Sequence, residues 1–556
     1  MWPYFRHGIW LFVALLVCHL IAYYHDVRDR LHGPTSRLED RSSSAWCRGS
    51  HRSERTCTFR NLCFRSDTGD FVFFYGERTT ALGHLDDDPA LADLSSVSDH
   101  GALHFAFVDA PLAARTQFDI KDIDTDTVVM SRFNPDNLMH VFHDDLIPMF
   151  ATAREVRGCY TDEEVSNCLD NMTFFFTDNR PKGQYWHLYQ VLTQDQLLVP
   201  PSETPQLYCF NKATVGLQKQ STWYQYGFKN PQGPLEKNLK SAGKEIKLFA
   251  KHFLKMLDIQ PSSSAESGYA IVVLRSKNRL ILKAEELLDM VRTHTALMPV
   301  VVDLEKEALS KVIQLLVGAK LLVAMHGSAL ILSMFMKPGA VVLEMFPYGI
   351  SPNQYTPYKT LANLPEMGLV YKSWRNTNLS NTVSHPEYEP SLGGILHLPV
   401  EQQDRIVQSS QVPPHLCCEN PEWLFRIYQD TIVDSSIIPV LMEVRTTKVP
   451  EDKGLTEAMC PGPVIDIKCA IKELAQNQRL LHISWAKPWN VEFVGFRSCT
   501  YEVWLQSDSR VQTFQVESVE YRNLTIETGF RVWVKAMCDG NSGRFNVFPA
   551  YCKAAT

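Results

Sequence analysis

The chain has 556 residues, of which 45% are hydrophobic, and a formal net charge of −7 at pH 7. A chain of this length should hold roughly two to four domains, and its apolar content is sufficient for packed cores. The negative net charge argues against a nucleic-acid partner.

The N-terminus carries an apolar run without charges at residues 9–24, close to the shortest length that spans a membrane. The run exits into Tyr23-Tyr24-His25-Asp26 rather than into a small-residue cleavage site, which favours an uncleaved anchor over a removed signal peptide. We therefore predict a cytoplasmic tail at 1–7, a single membrane-spanning signal-anchor at 8–24 and a flexible polar stem at 25–55.

Cysteines and glycosylation sequons predict that the bulk of the chain lies in a lumen. All of the fourteen cysteines except Cys18 follow the anchor, and three sequons begin at Asn171, Asn378 and Asn523. Disulfides persist in the secretory pathway, and sequons are glycosylated there. The prediction is a single-pass type II membrane protein.

Residues 267–347 alternate short apolar strands with amphipathic helices. We predict strands at 269–274, 298–302, 321–324 and 340–345, and helices at 283–293, 304–317 and 328–336. Uniformly apolar strands separated by helices are typical of a parallel sheet covered on both faces. In such doubly wound domains the ligand binds beyond the carboxyl ends of the strands.

Polar residues lie at the carboxyl ends of these predicted strands, and most of them could bind an anion. They are Arg275, Arg279, His326, Gly327, Ser328 and Glu344. Gly327 would let the backbone approach a ligand, and Ser328 with the next helix start could hold an anion. The arginines could add charge-assisted contacts. Because no glycine-rich dinucleotide motif or phosphate loop occurs, the pattern favours a sugar-nucleotide transferase with two facing Rossmann-like domains.

A second group of apolar segments precedes this sheet, with a helix predicted at 138–156. Asp136 or Asn137 would cap this helix, and His140 and Asp144 would then share one face near its start. A carboxylate that orients a histidine makes it a candidate general base. One alternative is a capped helix with ordinary polar residues. Another is a metal site formed by His140, His143, Asp144 and Asp145, but these residues lack the spacing of zinc proteases.

Two further segments have alternative interpretations. The acids Asp122, Asp124 and Asp126 match a pattern by which many sugar transferases hold manganese, but their setting favours a solvated turn. The aromatic segment 222–228 could stack on sugars or form a local core. After a linker predicted at 448–458, alternating strands over 459–556 indicate a β-sandwich.

Several of these segments resemble one glycosyltransferase family. The segments are 132–140 (RFNPDNLMH), 222–227 (TWYQYG), 325–327 (MHG), 355–360 (YTPYKT) and 417–430. They are similar to transferases that act on O-linked mannose, in the family that also contains the extracellular O-linked GlcNAc transferase and plant β-xylosyltransferases. The resemblance extends from about Cys57 to the C-terminus.

The resemblance implies an α/β fold of the GT-B type, in which two Rossmann-like halves face each other. The acceptor half is expected at 56–250, and the nucleotide-sugar half at 251–447 with its last helix packed back on the first half. A fibronectin type III domain would follow at 459–556. The implied enzyme is an inverting transferase of the endoplasmic reticulum membrane with a lumenal catalytic portion.

The implied reaction moves N-acetylglucosamine from UDP-GlcNAc in β1-4 linkage to O-linked mannose on Ser or Thr of proteins such as α-dystroglycan. We expect His140 as the base, oriented by Asp144, and Glu344 as a contact to ribose or uracil. The diphosphate would be held by Arg275, Arg279, His326, Gly327, Ser328 and Lys359. The acceptor-side candidates are Arg132, Asn137, Trp223 and Tyr224.

Three matters stay open in the sequence. The chemistry requires no metal, although manganese is not excluded. An O-GlcNAc or xylosyl transferase with another acceptor is a rival hypothesis, and a catalytically silent glycan-binding scaffold is a second. The fibronectin domain could bind the acceptor protein or a second subunit, and a homo-oligomer is one candidate assembly.

Overall fold

The computed structural model describes most of the chain beyond the predicted anchor. The described residues are 41–48, 55–79, 81–82, 92–97, 104–159, 168–194, 196–201, 205–228, 230–259, 268–446, 461–474, 479–488, 491, 496–506, 511–525, 529–539, 541–543, 545–546 and 549–553. The predicted tail (1–7), signal-anchor (8–24) and linker (448–458) lie outside them. Within the described ranges, no helix is both long and apolar enough to cross a membrane.

The N-terminal half is built on a nine-stranded mixed sheet. Its strands are Ser44–Arg48, Thr56–Arg65, Asp70–Tyr75, Ala81–Leu82, Phe107–Pro111, Ile120–Met130, Met172–Phe176, Leu197–Leu198 and Leu207–Val215. Only part of the sheet has the parallel pairing expected of a Rossmann-like half, because Thr56–Arg65 runs antiparallel to Leu207–Val215 and to both of its hairpin partners. Short hairpin connections permit only antiparallel pairing.

Two predictions about this half are wrong. Residues 41–48 were expected in a flexible stem, but Ser44–Arg48 pairs with Thr56–Arg65, and Cys47 forms a disulfide with Cys57. The three acids at 122–126 lie within the strand Ile120–Met130 rather than in a turn. Asp122 forms ion pairs with Arg41 and Arg115 on the surface of this strand.

Helices cover this half and connect it to the next. They are Leu112–Gln117 (a 3-10 helix), Leu138–His140, Val141–Leu146, Ile147–Arg157, Trp186–Thr193 and Glu236–Met256. The segment Val141–Leu146 is a π-helical turn, so the helix predicted at 138–156 is continuous but locally unwound. Such turns inside α-helices often occur at functional sites.

The C-terminal half contains the predicted parallel sheet with one additional strand. In spatial order its strands are Met298–Asp303, Tyr269–Leu274, Leu321–Met325, Val341–Phe346 and Val370–Arg375. In chain order this is 2-1-3-4-5, and the strand order reverses between the first and third strands. In doubly wound sheets the ligand binds at that switch point.

The helices of this half differ from prediction at their ends. They are Ala284–Thr295, Leu309–Gly318, Ser328–Phe335 (3-10), Pro357–Asn363, Leu379–Asn381 (3-10), Pro390–Leu392 (3-10), Val400–Gln408, Pro421–Ile427, Ser435–Ile437 (3-10) and Ile438–Thr446. The helix predicted from residue 304 begins at Leu309, because the carbonyl of Asp303 accepts the amides of Lys306 and Glu307 in a turn. The final helix, Ile438–Thr446, packs within its own half, where Leu441 shares a core with Leu287.

Described residues after the linker form a sandwich of two antiparallel sheets, as the alternating pattern predicted. One sheet contains Ile465–Glu473, Arg479–Ala486 and Glu520–Thr525. The other contains Val511–Val516, Cys499–Gln506, Gly529–Cys538, Asn541–Ser542 and Ala550–Lys553. The Cys469–Cys552 disulfide joins the two sheets around a core that includes Trp485 and Tyr501.

Small sheets complete the structure. They pair Ala92–Asp93 with His104–Phe105, Tyr224–Gln225 with Gly233–Pro234, and Asp430–Ile432 with Ile281–Leu282 and Thr382–Val383.

The three sequon asparagines Asn171, Asn378 and Asn523 are exposed, which glycosylation requires.

His252 makes the stability of the N-terminal half sensitive to acid. Its ring lies buried 5.2 Å from that of Phe150, and burial lowers the pKa of His252 from 6.5 to about 4. The unfolded chain therefore binds a proton at His252 more readily than the folded chain does. The free energy of unfolding is not reduced by this residue above pH 6.5, and it falls as the pH drops from 6.5 to 4.

We expect this histidine to lower the free energy of unfolding by about 2 kcal/mol at pH 5 relative to pH 7. Urea titrations at both pH values measure the difference, and His252→Phe should remove that part of it. Equal pH dependence in the variant and the wild type would contradict the assignment.

Candidate active site

A cavity of about 700 Å³ opens at the switch point of the parallel sheet and is lined by both halves of the protein. The predicted residues that line it are Asn137, His140, Tyr224, Arg275, Arg279, His326, Gly327 and Ser328. Arg275 follows the first strand and His326 the third, so they flank the reversal of strand order. The structure thus brings together residues that are far apart in the chain.

A histidine and a carboxylate form the N-terminal wall of the cavity. The side chain of Asn137 accepts the amide hydrogen of Met139 at 3.0 Å and starts the helix there. One turn later, Nδ1 of His140 lies 2.6 Å from Oδ2 of the buried Asp144. A carboxylate that accepts the Nδ1 hydrogen keeps the lone pair on Nε2, which is the atom able to take a proton.

Two arginines form the opposite wall. The guanidinium of Arg275 donates to the backbone and side-chain oxygens of Asn278, at 3.1 and 2.9 Å. Arg279 donates to the carbonyl of His326 at 2.8 Å and lies over the ring of Tyr428. Burial and the charge of Arg279 lower the pKa of Arg275 to about 10, so Arg275 stays cationic at neutral pH. Two cations held together in a cleft favour an anionic ligand.

Gly327 fits closely beneath the two arginines. A Cβ atom at this position would lie 2.9 Å from Nη1 of Arg279 and 3.5 Å from Nη1 of Arg275. Its backbone is extended, a conformation that any residue adopts. The absence of a side chain therefore matters for the position of the guanidinium groups rather than for the backbone.

The predicted contact of Glu344 with a nucleotide is wrong. Its carboxylate is fully buried and accepts from His326 Nδ1 at 2.5 Å and from the Tyr371 hydroxyl at 2.6 Å. The C-terminal wall thus contains a second histidine oriented by a buried acid. Glu344 supports His326, and His326 lines the cavity.

Three other predicted residues do not line the cavity. Arg132 is buried in an ion pair with Asp178 at 2.8 Å, and the buried indole of Trp223 donates to the carbonyl of Pro357 at 3.0 Å. Neither side chain can therefore touch an acceptor directly. Lys359 is also absent from the lining, where Tyr355 and Tyr358 of the same segment lie instead.

Sequence reasoning assigned no role to the adjacent cysteines Cys417 and Cys418, which form a disulfide with each other in the cavity wall. The sulfur of Cys417 lies 3.2 Å from the carbonyl oxygen of Tyr226, on the aromatic segment of the other half. Tyr226 also lines the cavity, and the rings of Tyr226 and His140 are 4.6 Å apart. The aromatic-rich loop was the available signal, but its alternative interpretations did not single out Tyr226.

No group of three or more metal-binding side chains occurs in the part of the chain that the structure describes. The acids Asp122 and Asp126 instead pair with cationic side chains of Arg115 and Lys212. The cationic side chains that line the described cavity include Arg275 and Arg279.

Comparisons with known proteins identify the family of this chain. The Glycosyltransferase 61 family matches residues 99–343. The protein O-linked-mannose β-1,4-N-acetylglucosaminyltransferase 2 of Danio rerio is 38% identical over 559 residues, covering 97% of this chain and 95% of that protein. The protein of the same name from Canis lupus familiaris is 40% identical over 507 residues, covering 88% of this chain and 85% of its own length.

Among solved structures, domains d3–d4 of the rat CD45 extracellular region match this chain with 18% identity and a TM-score of 0.14. The match covers 17% of this chain and 51% of the CD45 chain. The structure named FN3tt mut covers 16% of this chain and 91% of its own, with 16% identity and a TM-score of 0.13.

The matched family, with a cavity that combines an acid-oriented histidine and paired arginines, defines a glycosyltransferase. Within this class, the chain belongs to the family of protein O-linked-mannose β-1,4-N-acetylglucosaminyltransferase 2.

Proposed function

We propose that this glycosyltransferase moves N-acetylglucosamine from UDP-GlcNAc to the 4-hydroxyl of mannose linked to Ser or Thr, with inversion at the anomeric carbon. The observation that carries the proposal is the single cavity that places His140 opposite Arg275 and Arg279. The names of the relatives supply the sugar and the acceptor. We infer the GT-B arrangement from the same cavity, since the parallel sheet supplies one wall and the preceding mixed α/β half supplies the other.

Inversion requires one in-line displacement. The acceptor oxygen attacks the anomeric carbon while Nε2 of His140 takes its proton, and the bond from that carbon to the phosphate oxygen breaks. The electron pair stays on the departing diphosphate. Arg275, Arg279 and the turn at Gly327 and Ser328 stabilise the negative charge that develops there.

We also propose that the protein is a single-pass type II protein of the endoplasmic reticulum membrane, anchored by 8–24. Six disulfides among the described residues support a lumenal location for the catalytic part. The exposed sequons support the same orientation.

Transfer should continue after metal chelation. Because two arginines can neutralise the diphosphate, we expect activity in excess EDTA to stay within about twofold of that in manganese. The measurement is the initial rate of transfer with and without the chelator. Complete loss that only a divalent cation restores would overturn the metal-independent mechanism.

Gly327→Ala should weaken donor binding without unfolding the protein. The new methyl group would displace Arg279 or Arg275, so we expect the Kd for UDP to rise about tenfold, equivalent to about 1.4 kcal/mol. Calorimetric titration with UDP measures this change. Gly529→Ala in the sandwich, where a Cβ meets nothing closer than 4.0 Å, is the matched control. An unchanged Kd in Gly327→Ala would show that the arginines do not hold the nucleotide.

The function itself is tested with a mannosylated peptide and its unmannosylated twin. We expect transfer from UDP-GlcNAc only to the mannosylated peptide. Transfer to the bare peptide would favour a direct O-GlcNAc transferase, and a preference for UDP-xylose would favour the xylosyl rival. Binding of the mannosylated peptide without turnover would favour a silent scaffold.

A further inference from the structure

The carboxylate of Asp144, which contacts the candidate base His140, accepts hydrogen bonds from more than one ring. Its Oδ2 faces Nδ1 of His140, and its Oδ1 lies 2.5 Å from Nδ1 of His143 and 3.0 Å from the hydroxyl of Tyr226. His143 and Asp144 are fully or almost fully buried. The proposed mechanism uses His140 and Asp144 and leaves the other two groups without a role.

The backbone of Trp223 defines the tautomer of His143. The amide nitrogen of Trp223 lies 3.1 Å from Nε2 of His143, and a backbone N–H can only donate. Nε2 of His143 therefore carries the lone pair, and its hydrogen is on Nδ1, directed at Asp144. In this arrangement His143 is a neutral donor that adds no positive charge.

Tyr226 is the second fixed donor to Asp144. Burial and the neighbouring charge of Asp144 raise the pKa of the Tyr226 phenol well above its ordinary value, so the hydroxyl keeps its hydrogen. The ring packs between those of His140 and His143, at centroid distances of 4.6 and 5.4 Å. Tyr226 thus comes from a different segment than the helix but contacts the same carboxylate.

The π-helical turn allows this convergence. Residues His140, His143 and Asp144 lie at its entrance and within it, and both histidine rings reach the same carboxylate, one at each oxygen. Two neutral donors on Oδ1 fix the rotation of the carboxylate and direct Oδ2 toward His140. They leave the negative charge available to stabilise the imidazolium that forms when His140 takes a proton.

We propose that His143 is a positioning residue that, together with Tyr226, orients Asp144 and through it His140; this inference rests on the proposed role of His140 as the base. It acts through a hydrogen bond rather than through charge. The role predicts that a side chain with the same donor and acceptor can replace the imidazole, whereas an apolar ring of similar size cannot.

Two substitutions at this position separate a positioning role from a packing role. His143→Phe keeps an aromatic ring against Trp223 but removes the donor, and His143→Gln offers an N–H to Asp144 and an oxygen to the Trp223 amide. We expect His143→Phe to lower kcat roughly 10- to 100-fold with the KM for UDP-GlcNAc unchanged, and His143→Gln to recover most of that loss. Tyr226→Phe should lower kcat less, because His143 still holds the carboxylate.

The matched control is His252→Phe, which replaces another buried histidine of the same half outside the cavity. It should leave kcat within twofold of the wild type at pH 7. A His143→Phe protein with wild-type kcat would overturn the proposal. A His143→Gln variant as impaired as His143→Phe would overturn it too, because packing rather than hydrogen bonding would then explain the loss.

A spectroscopic measurement tests the inference independently of the acceptor. Nitrogen-15 NMR of histidine-labelled protein should show His143 as the neutral Nδ1–H tautomer, its signals being identified by their disappearance in His143→Gln. An Nε2–H tautomer or an imidazolium at pH 7 would contradict the proposal. If the wild type failed to modify the mannosylated peptide, only the proposed function would be wrong. The NMR measurement of the His143 tautomer does not depend on the acceptor.

Discussion

His140→Ala is expected to lower the kcat of transfer to a mannosylated peptide by about 10²- to 10⁴-fold, while the Kd for UDP changes less than twofold. General-base catalysis contributes rate factors of this size. His140 faces the cavity from the helix start, and the arginines that are proposed to hold the diphosphate belong to the other half. Initial rates at saturating donor and acceptor, with calorimetric binding of UDP, measure the two quantities.

The control is His187→Ala, which alters an exposed histidine on the helix Trp186–Thr193. It should have wild-type kcat. Asp144→Asn should cause a smaller loss than His140→Ala, because the ring remains but its tautomer is no longer specified. If His140→Ala transferred sugar at the wild-type rate, another group would have to be the base.

Arg275→Met should reduce kcat/KM for UDP-GlcNAc by about 10²- to 10³-fold. The variant loses a charged donor directed at the region where negative charge develops, and such donors contribute about 3 to 4 kcal/mol to transition-state stabilisation. Arg275→Lys should recover only part of the activity, since an ammonium cannot keep both contacts with Asn278.

Steady-state kinetics with varied donor measure this effect. The control is Arg292→Met, which alters an exposed arginine on the helix Ala284–Thr295 that pairs with the exposed Asp289. Arg279→Met should behave like Arg275→Met, with a larger effect on donor binding because Arg279 also holds the carbonyl of His326. Wild-type kcat/KM in both variants would exclude them from the diphosphate site.

The parallel sheet could be predicted because its strands are short and uniformly apolar. The strand Tyr269–Leu274 has the predicted bounds, and the others differ by a residue or two. The edge strand Val370–Arg375 was missed, since it contains Lys372 and Arg375 and is mostly half-buried. The antiparallel part of the first half was also missed, because its pairing depends on the hairpins and on disulfides such as Cys63–Cys209.

The candidate site was predicted in part for a similar reason. Polar residues that follow parallel strands meet at one edge, which identified Arg275, Arg279 and His326. The same rule failed for Glu344, whose carboxylate turns into the core to meet His326 and Tyr371. The spacing of His140 and Asp144 was visible in the sequence, whereas the contact between Asp144 and Tyr226 joins positions 82 residues apart.

The segment around Trp223 crosses from one half of the protein to the other. The Trp223 indole donates to Pro357, the Tyr224 hydroxyl accepts from the amide of Thr356, and the Tyr226 carbonyl meets Cys417. Contacts within the chain therefore hold this segment of the N-terminal half against the C-terminal half. Binding does not have to order this segment, so its conformational entropy is lost during folding and not during each catalytic cycle.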